Sequence, residues 1–268
     1  MVPRAGDSGD VLAGVISKIG TDDFSAALAH FLRQCAPYDN YLILAYRNED
    51  VPSVLYCEIE NPIVYQAFDR GYLTGAYLLD PFYTAHLERI PAGVYRLLDI
   101  APDQFKHTSY FRRYYRETTM IDEVAAFGYT PTGYTITVCL GTDQSSGKSF
   151  SGKALSNLLI YEKVITALIE KNWSDLVLDQ RAEATSKAPN LDQVIDRLMQ
   201  KKGIRLTKRQ AEVAMQVLQG HSSESIGLNL KISPHTVKVF RKQLYSRCQI
   251  SSQAELFSLM MPLILGER

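Results

Sequence analysis

The sequence predicts an α+β domain in the N-terminal part of the chain and a smaller all-α domain at its C-terminal end. In the first part, helical apolar spacing alternates with short runs of β-branched and aromatic residues. In the last part, short capped helices follow one another with tight connections. Charge divides in the same way: residues 201–268 hold 11 Lys or Arg against 4 Asp or Glu, although the 268-residue chain has a formal net charge of zero. A basic module attached to an acidic one is therefore expected.

Four strands are expected in the N-terminal domain. Tyr41–Tyr46 and Val54–Ile59 flank a turn-like segment and predict a hairpin. Ile121–Thr130 and Tyr134–Leu140 predict a second pair, joined at Pro131–Gly133. Short connections of this kind favour an antiparallel sheet, for which we expect about five strands.

Helical spacing recurs around these strands. The expected helices are Val11–Ile19, Phe24–Leu32, Pro62–Tyr72, Pro81–Arg89, Ser109–Arg116 and Leu155–Trp173. An antiparallel sheet with flanking helices resembles a sensor domain of the GAF or PAS kind, which we place at residues 1–178.

A polar segment marks the boundary between the domains. Asp179–Asn190 contains Pro189 and shows little apolar periodicity, and the amphipathic stretch Leu191–Met199 follows it. We predict a linker at residues 179–203 and a separate helical domain at residues 204–268. We expect Leu155–Met199 to connect the two domains and to transmit structural changes between them.

Capping residues define the first three helices of the C-terminal domain. Thr207 and Gln210 form a capping-box pattern, and Gly220 ends that helix. Ser222 begins a short second helix, and Ser233-Pro234 begins the third. This spacing is typical of a helix-turn-helix.

The third helix has two faces when its residues are placed at about 100° intervals. Its core stripe holds Val237, Phe240, Leu244 and Cys248. The opposite face carries cations and hydrogen-bonding groups, at His235, Lys238, Lys242 and Tyr245, with Arg241 and Val239 at its margins. Such a face can enter the major groove, where Lys donates to guanine and Val contacts the thymine methyl group.

Four motifs resemble the LuxR-type DNA-binding domain over about 60 residues. They are Leu206–Val213 (LTKRQAEV), Gly220–Ile226 (GHSSESI), Ile232–Val239 (ISPHTVKV) and Ile250–Leu256 (ISSQAEL). The resemblance implies that residues 204–268 form a DNA-binding domain of four helices, of which the third enters the major groove. It implies that bases are contacted by Lys238, Val239 and Lys242. It implies phosphate contacts from Thr207, Arg209, Ser222, Thr236 and Arg241. It also implies a fourth helix, Ser252–Leu265, whose Leu256, Leu259 and Met260 are core or dimer contacts.

Four positions depart from the usual LuxR-type pattern. Phe240 stands where His is common, Cys248 where Leu is common, Gln249 where Gly is common, and Gly227 where Ala is usual. Glycine should weaken the second helix by roughly 1 kcal/mol. None of these departures removes a proposed DNA contact.

An aromatic group with one carboxylate is the candidate effector site of the N-terminal domain. It consists of Tyr72, Tyr77, Asp80, Phe82 and Tyr83. Aromatic walls around a carboxylate can hold a small ligand. The alternative is that the rings form core and that Asp80 caps the helix beginning at Pro81.

The same segment also resembles the acyl-homoserine-lactone-binding domain. The residues that carry this resemblance are Asn61, Pro62, Tyr65, Tyr72, Asp80 and Pro81. The tryptophan expected early in that domain is absent, since Trp173 is the only one.

Several functional classes are disfavoured. Gly141 to Gly147-Lys148-Ser149 has five residues between its glycines, whereas a P-loop needs four. We find no metal spacing among the five histidines and no nucleophile–base grouping, so we expect no enzyme activity, no cofactor and no metal. The sequence has no apolar run of about 20 residues, no signal-peptide pattern and four scattered cysteines, which together favour a cytoplasmic protein without a membrane partner.

These observations predict a sequence-specific, DNA-binding transcriptional regulator. We expect a homodimer on double-stranded DNA with a pseudo-palindromic operator, a contact with RNA polymerase, and control by a small molecule bound in the N-terminal domain. Two alternatives remain: an acyl-homoserine-lactone receptor, and an effector-independent regulator whose N-terminal domain binds another protein.

Overall fold

The computed structural model describes residues 5–178 and 191–265. The chain divides into two compact units. Unit 1 comprises Met1–Tyr65, Glu88–Asp99 and Thr119–Ala184; unit 2 comprises Gln66–Leu87, Ile100–Thr118 and Thr185–Arg268. Two segments of the N-terminal half therefore pack in one unit with the C-terminal helices. The domain boundaries drawn from the sequence stay a prediction.

Helices and short strands alternate through the first 178 residues. In chain order they are α1 (Ala5–Ser17), α2 (Phe24–Cys35), β1 (Asn40–Tyr46), β2 (Ser53–Ile59), α3 (Pro62–Ala67), α4 (Pro81–Glu88), β3 (Gly93–Arg96), α5 (Leu97–Ile100), α6 (Ser109–Phe111), β4 (Met120–Tyr129), β5 (Thr135–Asp143), α7 (Gly152–Ile160) and α8 (Glu162–Asn172). The later part holds α9 (Leu191–Lys202), α10 (Lys208–Gln219), α11 (Ser223–Leu230), α12 (Pro234–Cys248) and α13 (Gln253–Ile264).

The five strands form one antiparallel sheet in the order β2-β1-β5-β4-β3. Alternate residues of a strand point to the same face. On one face, buried side chains such as Ile43 and Val138 belong to the same core cluster as Phe31 of α2 and Ile169 of α8. The prediction of an α+β domain with an antiparallel sheet and flanking helices is confirmed.

The fifth strand, β3, has only four residues, too few to give a recognisable strand pattern in the sequence. It pairs with β4, and its last residue is held by an ion pair. The Arg96 guanidinium donates through Nε and Nη2 to the two carboxylate oxygens of Asp122, at 2.9 and 2.8 Å. Such paired contacts depend on tertiary structure and leave no periodic pattern in the sequence.

The helix expected at Leu155–Trp173 is wrong as one continuous element. It is divided into α7 and α8 at Tyr161, whose backbone leaves the helical region. The Tyr161 ring packs edge-on against Phe31, with ring centroids 5.2 Å apart. The expected helices at Pro62 and Ser109 also change character, since their second halves are π-helical turns at Phe68–Tyr72 and Arg112–Arg116.

The C-terminal helices of unit 2 confirm the predicted all-α, four-helix region. Its core is formed by apolar side chains from α10, α11, α12 and α13, including Ala211, Ala214, Leu218, Ile226, Val237, Leu244, Leu256 and Met260. Leu259 is half-buried. Within the chain, α13 packs against α9, α10 and α6.

Gly227 allows a close approach inside this region. A Cβ atom at this position would lie 2.8 Å from the carbonyl oxygen of Ile232. Real Cβ contacts are longer, so alanine would force the turn after α11 to shift. Glycine is a poor helix former, but at this site a residue with a Cβ atom would not fit without a shift of the backbone.

Part of the predicted linker, residues 179–190, lies outside the described residues. Residues 191–202 form α9, which buries Val194 and Leu198 and packs on α10 and α13. Within the described part of the chain, no helix is both long and apolar enough to cross a membrane.

Candidate nucleic-acid interface

Side-chain caps begin the three helices of the predicted helix-turn-helix. The Thr207 hydroxyl accepts a hydrogen bond from the backbone N–H of Gln210, whose side chain accepts one from the Thr207 N–H. Ser222 and Ser233 cap α11 and α12 by accepting from backbone N–H groups at 3.1 and 3.0 Å. These caps satisfy N–H groups that a helix start leaves without partners, which is why short helices form here.

One side of α12 faces the core and the other faces solvent. Val237, Leu244 and Cys248 are buried, as predicted, whereas Phe240 is only half-buried. The exposed positions include His235, Lys238, Val239 and Lys242. Val239 has 41% of its surface exposed. This surface offers two ammonium groups and an apolar contact to a major groove.

Tyr245 differs from the other residues predicted for this face. It is half-buried, and its hydroxyl oxygen is shielded from solvent with no hydrogen-bond partner among the described residues. A role of Tyr245 in DNA binding stays a prediction.

The predicted phosphate-contact residues are largely engaged inside unit 2. The Arg209 guanidinium donates to Glu212 at 2.8 Å and to the carbonyl oxygen of Leu230 at 2.5 Å. Arg241 donates to the Ser223 hydroxyl at 3.3 Å. The Thr236 hydroxyl is hydrogen-bonded to the Ser233 hydroxyl at 2.8 Å. These bonds position the side chains near the helix starts.

Asp103 is a partner of this region that the sequence did not indicate. The backbone N–H of Ser222, at the start of α11, donates to Oδ1 of Asp103 at 2.9 Å. Burial alone would raise the pKa of Asp103, but the hydrogen bonds from Ser222, together with those from Gln104 and from the backbone of Asp103 itself, outweigh burial and hold this pKa below its usual value. The two residues are 119 positions apart, and no local pattern joins them.

The residues predicted for the effector site do come together in unit 2. The Tyr72 hydroxyl donates to Oδ2 of Asp80 at 2.6 Å. The Tyr77 ring lies 6.2 Å from that of Tyr72 and 4.8 Å from that of Tyr83, measured between centroids. Tyr77, Asp80, Phe82 and Tyr83 are all buried. We refer to Tyr72, Tyr77, Asp80, Phe82 and Tyr83 as the aromatic cluster.

Asp80 has a structural role within the aromatic cluster. Its Oδ1 accepts a hydrogen bond from the backbone N–H of Phe82 at 2.9 Å, so the expected cap of the helix at Pro81 is present. Burial raises the pKa of Asp80 to about 6, although the hydrogen bonds from Tyr72 and Phe82 act in the opposite direction. A carboxylate in this environment can change its protonation state near neutral pH.

Two further sequence features can be placed. Residues 144–147, which end at the second glycine of the P-loop-like segment, form a turn after β5. Among residues 5–178 and 191–265, no group of three His, Cys, Asp or Glu side chains lies close enough to hold a metal ion.

Known proteins match the chain in two ways. Residues 205–260, which include the described helix-turn-helix, match the family described as bacterial regulatory proteins, luxR family. A predicted HTH-type transcriptional regulator in the exeN 3′ region of Aeromonas salmonicida is 31% identical over 186 residues, which are 68% of this chain and 93% of that protein. The chain belongs to the LuxR family. This family consists of DNA-binding transcriptional regulators and is not a class of enzymes.

The N-terminal part of this LuxR-family protein is also similar to a solved structure. The LBD domain of VqsR from Pseudomonas aeruginosa is 25% identical, with a TM-score of 0.52, and the match covers 63% of this chain and 97% of that chain. SdiA from Escherichia coli is 15% identical with a TM-score of 0.40, over 96% of this chain and 98% of that chain.

Proposed function

We propose that this LuxR-family regulator binds its operator through the exposed face of α12. Lys238, Val239 and Lys242 contact bases in the major groove. The observation that supports this most strongly is the exposure of these residues on the side of α12 opposite Val237 and Leu244. His235 extends the same face, and Tyr245 is its least exposed candidate.

Phosphate contacts come from the starts of the helices and from Arg241, whose side chain reaches the start of α11. The proposed residues are Thr207, Arg209, Ser222, Thr236 and Arg241. Polar side chains and backbone N–H groups at helix starts are suited to phosphate oxygens. These contacts set the position of α12 in the groove, whereas base contacts set the sequence preference.

The experiment begins with selection of preferred duplexes by the full-length protein from a random pool. Affinity for the selected duplex is then measured as salt concentration increases. Contacts to several phosphates predict a steep loss of affinity, because each neutralised phosphate releases a condensed counterion. Affinity independent of salt would contradict the proposed interface.

A small molecule bound by the N-terminal part is proposed as the controlling signal. The likeness to the VqsR LBD domain and the buried Asp80 among tyrosines support it. Asp80 and Tyr72 would bind a polar group of the effector, while the other rings contact its apolar part. An acyl-homoserine lactone is one candidate ligand. The alternative is a protein-interaction domain without an effector.

Native mass spectrometry of the purified full-length protein tests this part. A co-purifying small molecule that raises the melting temperature when added back would support the effector role. An acyl-homoserine lactone that raises it would identify the first alternative. Absence of any bound mass, together with recovery of one specific protein partner, would favour the second.

We also infer a homodimer on a pseudo-palindromic operator, with half-sites about 10 base pairs apart. RNA polymerase is the expected protein partner at the promoter, and the cytoplasm the expected location. Sedimentation of the protein with a selected duplex measures the number of chains bound. One chain on a single half-site would contradict the dimer.

A further inference from the structure

A segment of the N-terminal half lies against the turn of the helix-turn-helix, within unit 2. We call residues 103–109 the docking segment. The backbone N–H of Gln104 donates to the carbonyl oxygen of Gly220 at 2.8 Å. Two residues further on, the N–H of Ser222 donates to Asp103 at 2.9 Å. The turn between α10 and α11 therefore has one hydrogen bond to the docking segment on each side of His221.

Gly220 makes this close approach possible. Its φ of 98° lies in the left-handed region, and a Cβ atom would lie 2.7 Å from the Cα atom of Phe105. Two backbones therefore meet where any larger residue would separate them. The Phe105 ring is buried and packs against Phe111 and Tyr115, at centroid distances of 5.5 and 6.1 Å, so the docking segment has its own apolar anchor.

The docking segment also reaches the fourth helix of the C-terminal region. The backbone N–H and the hydroxyl of Ser109 both donate to Oε1 of Gln253, each at 3.2 Å. Gln253 is the first residue of α13. Outside the docking segment, Gln219 of α10 donates to the carbonyl oxygen of Leu78 at 3.2 Å. The docking segment itself therefore contacts the turn between α10 and α11 and the start of α13.

We propose that the docking segment is an autoinhibitory contact in which Asp103 takes the place of a DNA phosphate at the start of α11. Backbone N–H groups at a helix start bind anions, and phosphate oxygens in protein–DNA complexes use such donors. The Ser222 N–H already donates to a carboxylate, and a phosphate approaching it would also be repelled by that carboxylate. DNA binding at this point and docking of Asp103 exclude each other. The inference rests on the proposed role of Ser222 in phosphate binding.

The consequence is a DNA affinity set by the fraction of molecules whose docking segment has released. When only a fraction of a protein is competent to bind, its apparent affinity falls by that fraction. Any signal that moves residues 103–109 away from the turn would raise affinity without changing the surface of α12.

The test compares full-length variants by fluorescence anisotropy, with a fluorescein-labelled DNA duplex of mixed sequence, about three helical turns long. Asp103→Ala should bind about tenfold more tightly than the unaltered protein, the change expected when a charge-assisted hydrogen bond is lost from the docked state. Asp103→Asn, which keeps an acceptor oxygen, should lie between them. Asp69→Ala, at an exposed carboxylate of the same unit, controls for the loss of one negative charge.

Amide hydrogen exchange provides a second measurement on the unaltered protein. Saturation with the duplex should accelerate exchange of the Gln104 N–H, because its bond to Gly220 opens when the docking segment releases. Unchanged exchange of this N–H in the DNA-bound protein would overturn the inference, whatever the affinities of the variants are.

Lys238→Ala, measured on the selected duplex of the proposed function, separates the inference from that function. If Lys238→Ala weakens binding while Asp103→Ala and Asp69→Ala have equal effects, the autoinhibitory contact is wrong and the α12 interface stands. If Lys238→Ala has no effect but Asp103→Ala raises affinity and Gln104 exchange accelerates, the contact stands and the α12 assignment is wrong.

Discussion

The exposed face of α12 and the aromatic cluster both contain polar groups suited to binding. On α12 these groups face solvent, whereas in the aromatic cluster they are buried and already hydrogen-bonded. Lys238 and Lys242 extend into solvent. Both carboxylate oxygens of Asp80 are already hydrogen-bonded, to Tyr72 and to the backbone of Phe82. A groove can therefore meet α12 by displacing water alone. A ligand that reaches Asp80 must replace bonds that also stabilise the fold.

The largest effect should follow the loss of a ring from the aromatic cluster. Tyr77 is fully buried and packs against Tyr72 and Tyr83. Tyr77→Ala should lower the free energy of unfolding by about 3–5 kcal/mol, because it leaves a cavity among well-packed rings. Thermal and chemical denaturation measure this change.

Tyr65→Ala is the matched control, since Tyr65 is 46% exposed and loses the same atoms. It should change stability by no more than about 0.5 kcal/mol. Equal effects of the two substitutions would show that the aromatic cluster is not the packed region described above.

The next effect concerns pH. The pKa of Asp80 is raised from its usual value of 3.8 to about 6 by burial, so the folded protein binds this proton more tightly than the unfolded chain. Its contribution to stability is greatest below pH 4 and is lost as pH rises through about 6. At about 1.4 kcal/mol for each pKa unit, the loss is about 3 kcal/mol.

Asp80→Asn isolates this contribution, because an amide can still accept from the Phe82 N–H while carrying no charge. The difference in melting temperature between Asp80→Asn and the unaltered protein should grow in favour of the variant from pH 4 to pH 7. A constant difference over this range would show that Asp80 does not titrate as described.

On α12, Lys238→Ala should reduce affinity for the selected operator by about 1–3 kcal/mol and relax the preference at the base it contacts. The removal of one exposed cation elsewhere, as in Lys153→Ala on α7, provides the control. Neither substitution should alter the melting temperature appreciably. If both variants have the same affinity for the operator, Lys238 affects binding only through its positive charge and not through a base contact.

The smallest effect is expected at Gln249, which ends α12 with a φ of 55°. A side chain is strained in this left-handed conformation, so Gln249→Gly should stabilise the protein by about 1 kcal/mol. Gln249→Ala retains a Cβ atom and should not stabilise it. Denaturation midpoints of the two variants make the comparison.

The difference between local sequence patterns and tertiary packing explains which features the sequence could predict. Caps at Thr207, Ser222 and Ser233, and the stripe through Val237 and Leu244, are local patterns, so α10, α11 and α12 could be predicted directly. The four longer strands were predictable for the same reason. Grouping of the tyrosines with Asp80 was expected because they are close in sequence, but their burial depends on tertiary packing.

Three features could not be predicted because distant residues produce them. The four residues of β3 form a strand because they pair with β4 and because Arg96 contacts Asp122. The interruption at Tyr161 accompanies packing of its ring on Phe31. Nothing in the sequence around Asp103 indicates its hydrogen bond with Ser222. A charged residue in a polar loop is common, and its role becomes clear only from the residue that it contacts.

The contact between Asp103 and Ser222 also bears on how the chain folds while it is being synthesised. The two residues are 119 positions apart, so Asp103 leaves the ribosome long before Ser222. At about 5–20 residues per second, the delay is on the order of ten seconds. During that interval the face that later receives the C-terminal helices has no partner from its own chain. Nascent chains of this protein should therefore be most prone to chaperone capture just before α10 and α11 emerge.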